Sequence, residues 1–277
     1  MKLIKKNKPA DSYGVTRKTK NKNQFECKIE EINLQGYTII ENVLNSRELR
    51  DYSRKIDEIT ETQKEDFTKK KLEKINELNI ARCLLAYDNY FFNILEIPIL
   101  VKFIKFILGN NYTLILQNSV THYPNESKKQ AQSHRDMPYQ DYTISKPVAL
   151  NAYFNLEKSS EKYGGLKVLP FSHKLGKVPS DEYISNNAIT IEADKGSLII
   201  FNSWIYHSFF INKSKKIRRI INHIFAKPIY KQQIDIPKAL GEKKELNPNL
   251  RRVLGYDWES PISVEQYRLK KLLKGDK

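Results

Sequence analysis

Cysteine is scarce in this chain: Cys27 and Cys83 are the two present. They have no metal-binding spacing and cannot supply a disulfide framework. Their scarcity fits a reducing compartment, so the protein is expected to be cytoplasmic. No stretch is long and apolar enough to span a bilayer. The basic start, Met1 to Lys8, has no apolar segment behind it, so no signal peptide is read. No internal repeat is visible. Acidic residues are also in deficit, 32 against 48 basic ones, for a net charge of +16.

The excess is concentrated at the front, where residues 1–28 hold nine lysines and arginines against Asp11 and Glu26. Such charge attracts acidic partners such as a nucleotide, a CoA thioester, an anionic glycan or a membrane surface; a solvated basic tail is the plainer reading. Residues 1–25 are polar and aperiodic and are read as a mobile basic arm.

Apolar content of 40% is enough for a substantial core. Gly36-Tyr-Thr-Ile-Ile reads as a short strand. Asn45-Ser-Arg-Glu48 has the form of a capping box, and Leu49, Tyr52, Ile56 and Ile59 then share one helical face. Residues 61–79 are charged, either helical or an excursion. Pro98 to Leu108, with Gly109 behind it, predicts a buried helix. From Asn111 to about residue 230 the pattern is of strands: 112–120, 147–156, 166–169, 196–201 and 217–225. Short strands with turn signals between them predict a sandwich or barrel. A further helix is expected over 264–273.

Within that β-rich part lie His134 and Asp136, two apart and so on one face of an extended strand, with Arg135 pointing away. His207 follows 71 positions after Asp136, and Arg218 comes eleven later. Two imidazoles and one carboxylate are the facial triad of non-haem Fe(II) oxygenases, which leaves half of an octahedral ion open. An arginine at the right distance can clamp a carboxylate through a bidentate pair.

The ordered set resembles the phytanoyl-CoA dioxygenase family of Fe(II)/2-oxoglutarate oxygenases. The stretches that carry the likeness are Gly36 to Leu44, His134 to Tyr139, Ala149 to Leu156, Gly164 to His173, Ala193 to Phe201, His207, and Asn212 to Arg218, spanning roughly residues 30–230. The resemblance implies a mainly β fold with flanking helices, a double-stranded β-helix or jelly roll. It implies a single oxygenase domain over 26–277: a helical part to about 110, a core over about 111–230, and a C-terminal extension over 231–277. His134, Asp136 and His207 would ligate Fe(II). Arg218 would hold 2-oxoglutarate, while Arg219 faces the other side of its strand. Relatives often carry a serine two residues after the distal histidine. Phe209 stands there, and Ser208 is the nearest hydroxyl. Gln117, Asn151 and Tyr153 are candidate polar helpers, Gln117 being counted with Ser208 and Arg218 as co-substrate-binding. Asp136 fills the position that related halogenases leave to chloride, which argues for hydroxylation, with 2-oxoglutarate and O2 consumed and succinate and CO2 released.

His122, His173 and His223 are read as structural, and Trp204 as core. Met137, Pro138, Tyr139 and Tyr142 are candidates for the substrate entrance. The leading expectation is oxidation of a small or carrier-linked metabolite, whose acidic handle the lysines would meet. A nucleic-acid- or protein-modifying oxygenase ranks lower, because no basic-aromatic platform is visible. A jelly-roll binding protein without turnover is the non-enzymatic alternative.

Overall fold

The computed structural model describes residues 20–126, 132–137, 143, 146–243 and 245–275, with the side chains of 273–275 left aside. Helix α1 (Gln24–Gln35) is capped by Asn23, whose side chain accepts from Glu26 N–H. It opens inside the stretch expected to be an arm; residues 1–19 lie outside the described ones. Gly36 ends α1 at φ 94°, and β1 (Tyr37–Ile40) follows. The Asn45–Glu48 capping box forms, and α2 (Ser46–Phe67) buries Leu49, Tyr52, Ile56 and Ile59. The charged stretch after residue 60 is therefore mostly helix. Thr68, at φ 67°, breaks it before α3 (Lys69–Lys74). Next come β2 (Ile80–Arg82) and two 3-10 turns, then α4 (Pro98–Leu108), opened by its proline and closed by Gly109.

The strands then follow: β3 (Thr113–His122), β4 (Ala149–Asn155) and β5 (Leu166–Val168), helix α5 (Asp181–Asn187), and β6 (Ile189–Thr190), β7 (Leu198–Asn202), β8 (His207–Phe209) and β9 (Arg218–Ala226). Helices α6 (Ile236–Leu240), α7 (Pro248–Leu254) and α8 (Val264–Gly275) close the chain. No described helix is long and apolar enough to cross a membrane.

Two antiparallel sheets face each other, as a jelly roll requires. The larger runs β1-β7-β4-β9-β3-β2 and the smaller β6-β5-β8. The larger sheet is covered on both sides, which is why β4 and β7 are buried along their whole length. One face meets the helices through Leu150, Ala152, Phe154, Ile221 and Phe225, packed on Ile56, Phe91, Leu100 and Phe103. The other faces the smaller sheet through Val120, Tyr153, Phe201 and Ile220, packed on Leu166, Val168 and Phe209. Period-two alternation therefore sorts each strand. On β9, Arg218, Ile220, Asn222 and Ile224 point into the barrel, and Arg219, Ile221, His223 and Phe225 point to the helices.

Gly36 lies at the joint between these layers. Its carbonyl accepts from Asn202 N–H at 2.8 Å, and a Cβ there would meet His173 Nδ1 at 2.6 Å. Gly36→Ala combines left-handed backbone strain with this clash. We expect a loss of roughly 2–4 kcal/mol of unfolding free energy, measured by denaturant titration.

Candidate metal centre

The segment after β3 returns to the smaller sheet at one point. His134 N–H donates to the His207 carbonyl and His207 N–H to the His134 carbonyl, both at 3.0 Å. Two residues that exchange both backbone hydrogen bonds are direct antiparallel neighbours, so their side chains stand side by side. The two imidazole rings accordingly lie 4.6 Å apart between centroids. Asp136, two residues on, returns to the same face. Its Oδ1 is 3.4 Å from His134 Nε2 and its Oδ2 is 3.6 Å from His207 Nε2. One ligand atom from each of the three falls within 4.8 Å of the others, a cluster that can hold a metal ion.

The proton positions suit a cation. His134 Nδ1 lies 3.0 Å from the Gln132 carbonyl and His207 Nδ1 lies 3.1 Å from the Ile205 carbonyl. A carbonyl can only accept, so each Nδ1 carries the hydrogen and each Nε2 offers a lone pair. His207 Nε2 is buried without a hydrogen-bond partner. Such an orphaned acceptor aimed at a carboxylate fits a metal ion better than it fits an empty polar core. Burial holds the His207 imidazole below its ordinary value, against the pull of Asp136. Burial pushes the Asp136 carboxyl up, yet its electrostatic interactions with the His207 and His134 imidazoles and the hydrogen bond from Asn151 outweigh it and leave the carboxyl low. His134 is raised: burial opposes protonation, and Asp136 overcomes it.

Supporting side chains fix these ligands. Asn151 on β4 donates to Asp136 Oδ2 at 2.5 Å and accepts from Ser203 Oγ at 2.6 Å. Arg135, buried between the two ligands of its segment, donates to the carbonyls of Ser172 and Leu175 and stacks on Tyr206. It ties the His134–Asp136 segment to the turn at 172–175.

Arg218 points into the barrel from the start of β9. It donates to the Gly164 carbonyl at 3.0 Å and to Asn155 Oδ1 at 3.1 Å, while its Nε has no partner. Gly164 must be glycine for this approach, since a Cβ at its φ of 72° would lie 2.9 Å from the Phe210 carbonyl. Burial lowers the Arg218 guanidinium to about 10. No carboxylate lies within ion-pair distance of it among the described residues. The buried Tyr153 phenol feels both Asp136 and Arg218, and its ring stacks on Phe209. Arg219 points the other way and pairs with Asp57 on α2 and with Glu157.

Two expected residues lie elsewhere. Gln117 faces the helices, not the barrel: it accepts from Leu85 N–H at 2.8 Å and its Nε2 lies 2.9 Å from His223 Nε2. Alternation after the irregularity at Leu114–Leu116 puts its neighbour Asn118 inside instead. Ser208 lies opposite Lys167 on the outer face of β8, away from His207 and Phe209, and lines a cleft with Ser133 and Asp181. Trp204 packs with Met137 and Ile224. Pro138, Tyr139 and Tyr142 lie outside the described residues. Asn155 and Asn222 went unread. The available signal was asparagine, depleted in strands, at inward positions of otherwise apolar ones.

The sequence profile of the phytanoyl-CoA dioxygenase family matches residues 32–220. The chain belongs to this family. It is therefore a non-haem Fe(II)/2-oxoglutarate-dependent oxygenase, with O2 as the second co-substrate. Uncharacterized proteins Rv1501 of Mycobacterium tuberculosis and Mb1539 of Mycobacterium bovis are each 29% identical to it over 258 residues, covering 90% of this chain and 93% of theirs. Its fold is similar to that of the α-ketoglutarate-dependent epimerase SnoN from nogalamycin biosynthesis (TM-score 0.56, 13% identity, 73% of this chain and 80% of that one). It is also similar to HygX of Streptomyces hygroscopicus solved with nickel, 2-oxoglutarate and hygromycin B (TM-score 0.57, 11% identity, 74% and 88%).

Two predictions follow from this geometry. Asn151→Leu removes the donor that orients Asp136 and should weaken Ni(II) or Co(II) binding roughly tenfold to hundredfold, read by anaerobic titration. The second concerns two of the three buried histidines outside the centre, His173 and His223. Burial holds His173 at about 4 and His223 at about 3. Both are neutral in the fold and take up a proton on unfolding below pH 6.5, so the unfolded state binds more protons there. Unfolding free energy should fall as pH drops from 6.5 towards 4, by about 1.4 kcal/mol per unit per histidine at most. His223→Gln should flatten the slope, read from denaturant titrations across that range.

Proposed function

We propose that His134, Asp136 and His207 hold Fe(II), that Arg218 holds the distal carboxylate of 2-oxoglutarate, and that the protein hydroxylates a small molecule. The observation that carries this reading is the pair of unmet demands inside one barrel: a buried lone pair on His207 Nε2, and a buried guanidinium with no carboxylate at ion-pair distance among the described residues. A metal ion satisfies the first and a dicarboxylate the second. Bound iron supplies the oxidising chemistry, coupling decarboxylation of 2-oxoglutarate to oxidation of the substrate.

The chain's own residues do the positioning. Arg218 is pre-set by Gly164 and Asn155, so three of its five N–H groups stay free for a carboxylate. Tyr153, lying between Arg218 and Asp136, offers a phenol along the path from clamp to metal. The Asp136 carboxylate keeps its coordination position filled, which supports hydroxylation. His207 is 1% exposed, whereas the His134 side chain is 40% exposed, so the centre opens on one side. A recessed opening of this kind suits a small molecule or a slender carrier arm better than a duplex. The unpaired thiols of Cys27 and Cys83 support a cytoplasmic setting.

The experiment adds Fe(II) and then 2-oxoglutarate to the protein under anaerobic conditions and follows the visible charge-transfer band of the chelate. Wild type should show the band. His207→Ala should show none. Arg218→Met should need at least about a hundredfold more 2-oxoglutarate, since a buried charge-assisted pair is lost. Absence of the band in folded wild type overturns the reading.

A further inference from the structure

The inward face of the larger sheet carries a row of carboxamides beside the metal candidate. Asn151, already bonded to Asp136, lies with its Nδ2 3.4 Å from Asn222 Oδ1. Asn222 stands opposite Asn118 in the β9–β3 register, and Asn118 stands opposite Arg82 in the β3–β2 register. Cross-strand neighbours are in side-chain reach. With its amide oriented to satisfy both atoms, Asn118 donates to the Gln117 carbonyl at 2.8 Å and accepts from Arg82 at 2.6 Å. The row therefore runs from Asp136 to the half-exposed edge strand.

Its hydrogen-bonding capacity is not used up. Asn222 is 8% exposed, and among the described residues none accepts from its Nδ2. A carboxamide on a largely buried face whose donors have no protein partner is free to pair with a ligand that reaches it. The row is also neutral. Arg82 at its outer end is paired through Nε and Nη2 with Glu77, and its Nη1 bonds Gln233. Among the described residues no unpaired cation stands along the row for a carboxylate or phosphate, and Asp136 at the inner end repels one.

We propose that Asn118 and Asn222 form a substrate seat beside the metal centre and select a neutral, polyhydroxylated small molecule over an acyl chain. Carboxamides both donate and accept, as hydroxyl groups do, so each can pair with a hydroxyl in either sense. An acyl chain would strand the Asn222 donors, and sites built on hydrogen bonds discriminate strongly against partners that lack them. Arg218 is four residues from Asn222 on the same face of β9, which leaves the 2-oxoglutarate end and the amide row as separate regions.

The inference rests on the iron-site reading above, and the test separates the two. The anaerobic Fe(II)–2-oxoglutarate chelate is prepared in wild type, Asn222→Leu and Asn118→Leu. Each sample is titrated with glucose, N-acetylglucosamine and myo-inositol, and separately with palmitoyl-CoA, while the visible band is followed for the shift that substrate-site occupancy causes. We expect at least one polyol to shift the wild-type band and palmitoyl-CoA not to. Either leucine variant should still form the chelate but need roughly tenfold more of that polyol. A shift with palmitoyl-CoA, no shift with any polyol, or equal polyol affinity in the variants overturns the seat and leaves the iron site standing. Failure of wild type to form the chelate overturns both.

Discussion

Two backbone hydrogen bonds, exchanged between His134 and His207, are the constraint on which the rest of the centre depends. They join a segment that belongs to no regular strand to β8, the edge of the smaller sheet. Everything needed for coordination follows from that register. The two imidazoles become neighbours, Asp136 returns to their face after one intervening residue, and Arg135 is turned outward into the carbonyls of the 172–175 turn. A one-residue slip would place Arg135 where a ligand must be. The ligands are precise because the backbone pairs and the arginine fastens the segment from behind.

The second constraint is that the larger sheet has two covered faces. The helices take one face and the smaller sheet takes the other, so polar groups on either face must find partners inside the protein. On the helix side Arg219 pairs with Asp57 and Glu157, and Gln117 is engaged by Leu85 and His223, while Ser119 Oγ and His223 Nδ1 are left without partners. The barrel side has its own unmatched groups. His207 Nε2, Arg218 Nε and Asn155 Nδ2 are buried without partners. What sets the barrel side apart is the chemistry of its unmatched groups: an imidazole lone pair, a guanidinium and a carboxamide lie on the face that meets the metal candidate.

The sequence made the frame legible because its signals are local. The Asn45–Glu48 capping box, Pro98 at the head of α4, and the apolar runs of β7 and β9 each fold as their residues dictate. The His-x-Asp pair with its distant histidine was legible because period-two geometry and chemistry agree. What failed to show was non-local. Strand β3 is buried on both faces, so its pattern gives no side, and its irregularity at Leu114–Leu116 offsets any counting from its start. Sequence alone therefore does not tell Gln117 from Asn118, which is the residue that faces the barrel. The hydroxyl of Ser208 suits a co-substrate contact, yet alternation from the adjacent His207 turns it outward. Helix α1 escaped because its capping signal at Asn23 is embedded in a run of charge.

A difference in charge between the two ends of the barrel face gives the proposed site its order. Arg218 lies at one end of the inward face of β9, and neutral Asn222 lies four residues along it. A dicarboxylate gains from the first position, where a desolvated cation has no carboxylate at ion-pair distance among the described residues, and gains nothing comparable from carboxamides beside Asp136. A neutral hydroxylated molecule has the opposite preference, since it cannot compensate the guanidinium. Two ligands on one strand face are thus sorted by the residues each would meet. The positive surface of the chain does not enter this sorting, because its charge acts through solvent while Arg218 acts where solvent is excluded. Net charge then governs encounter, and the identity of a few inward residues governs what stays bound.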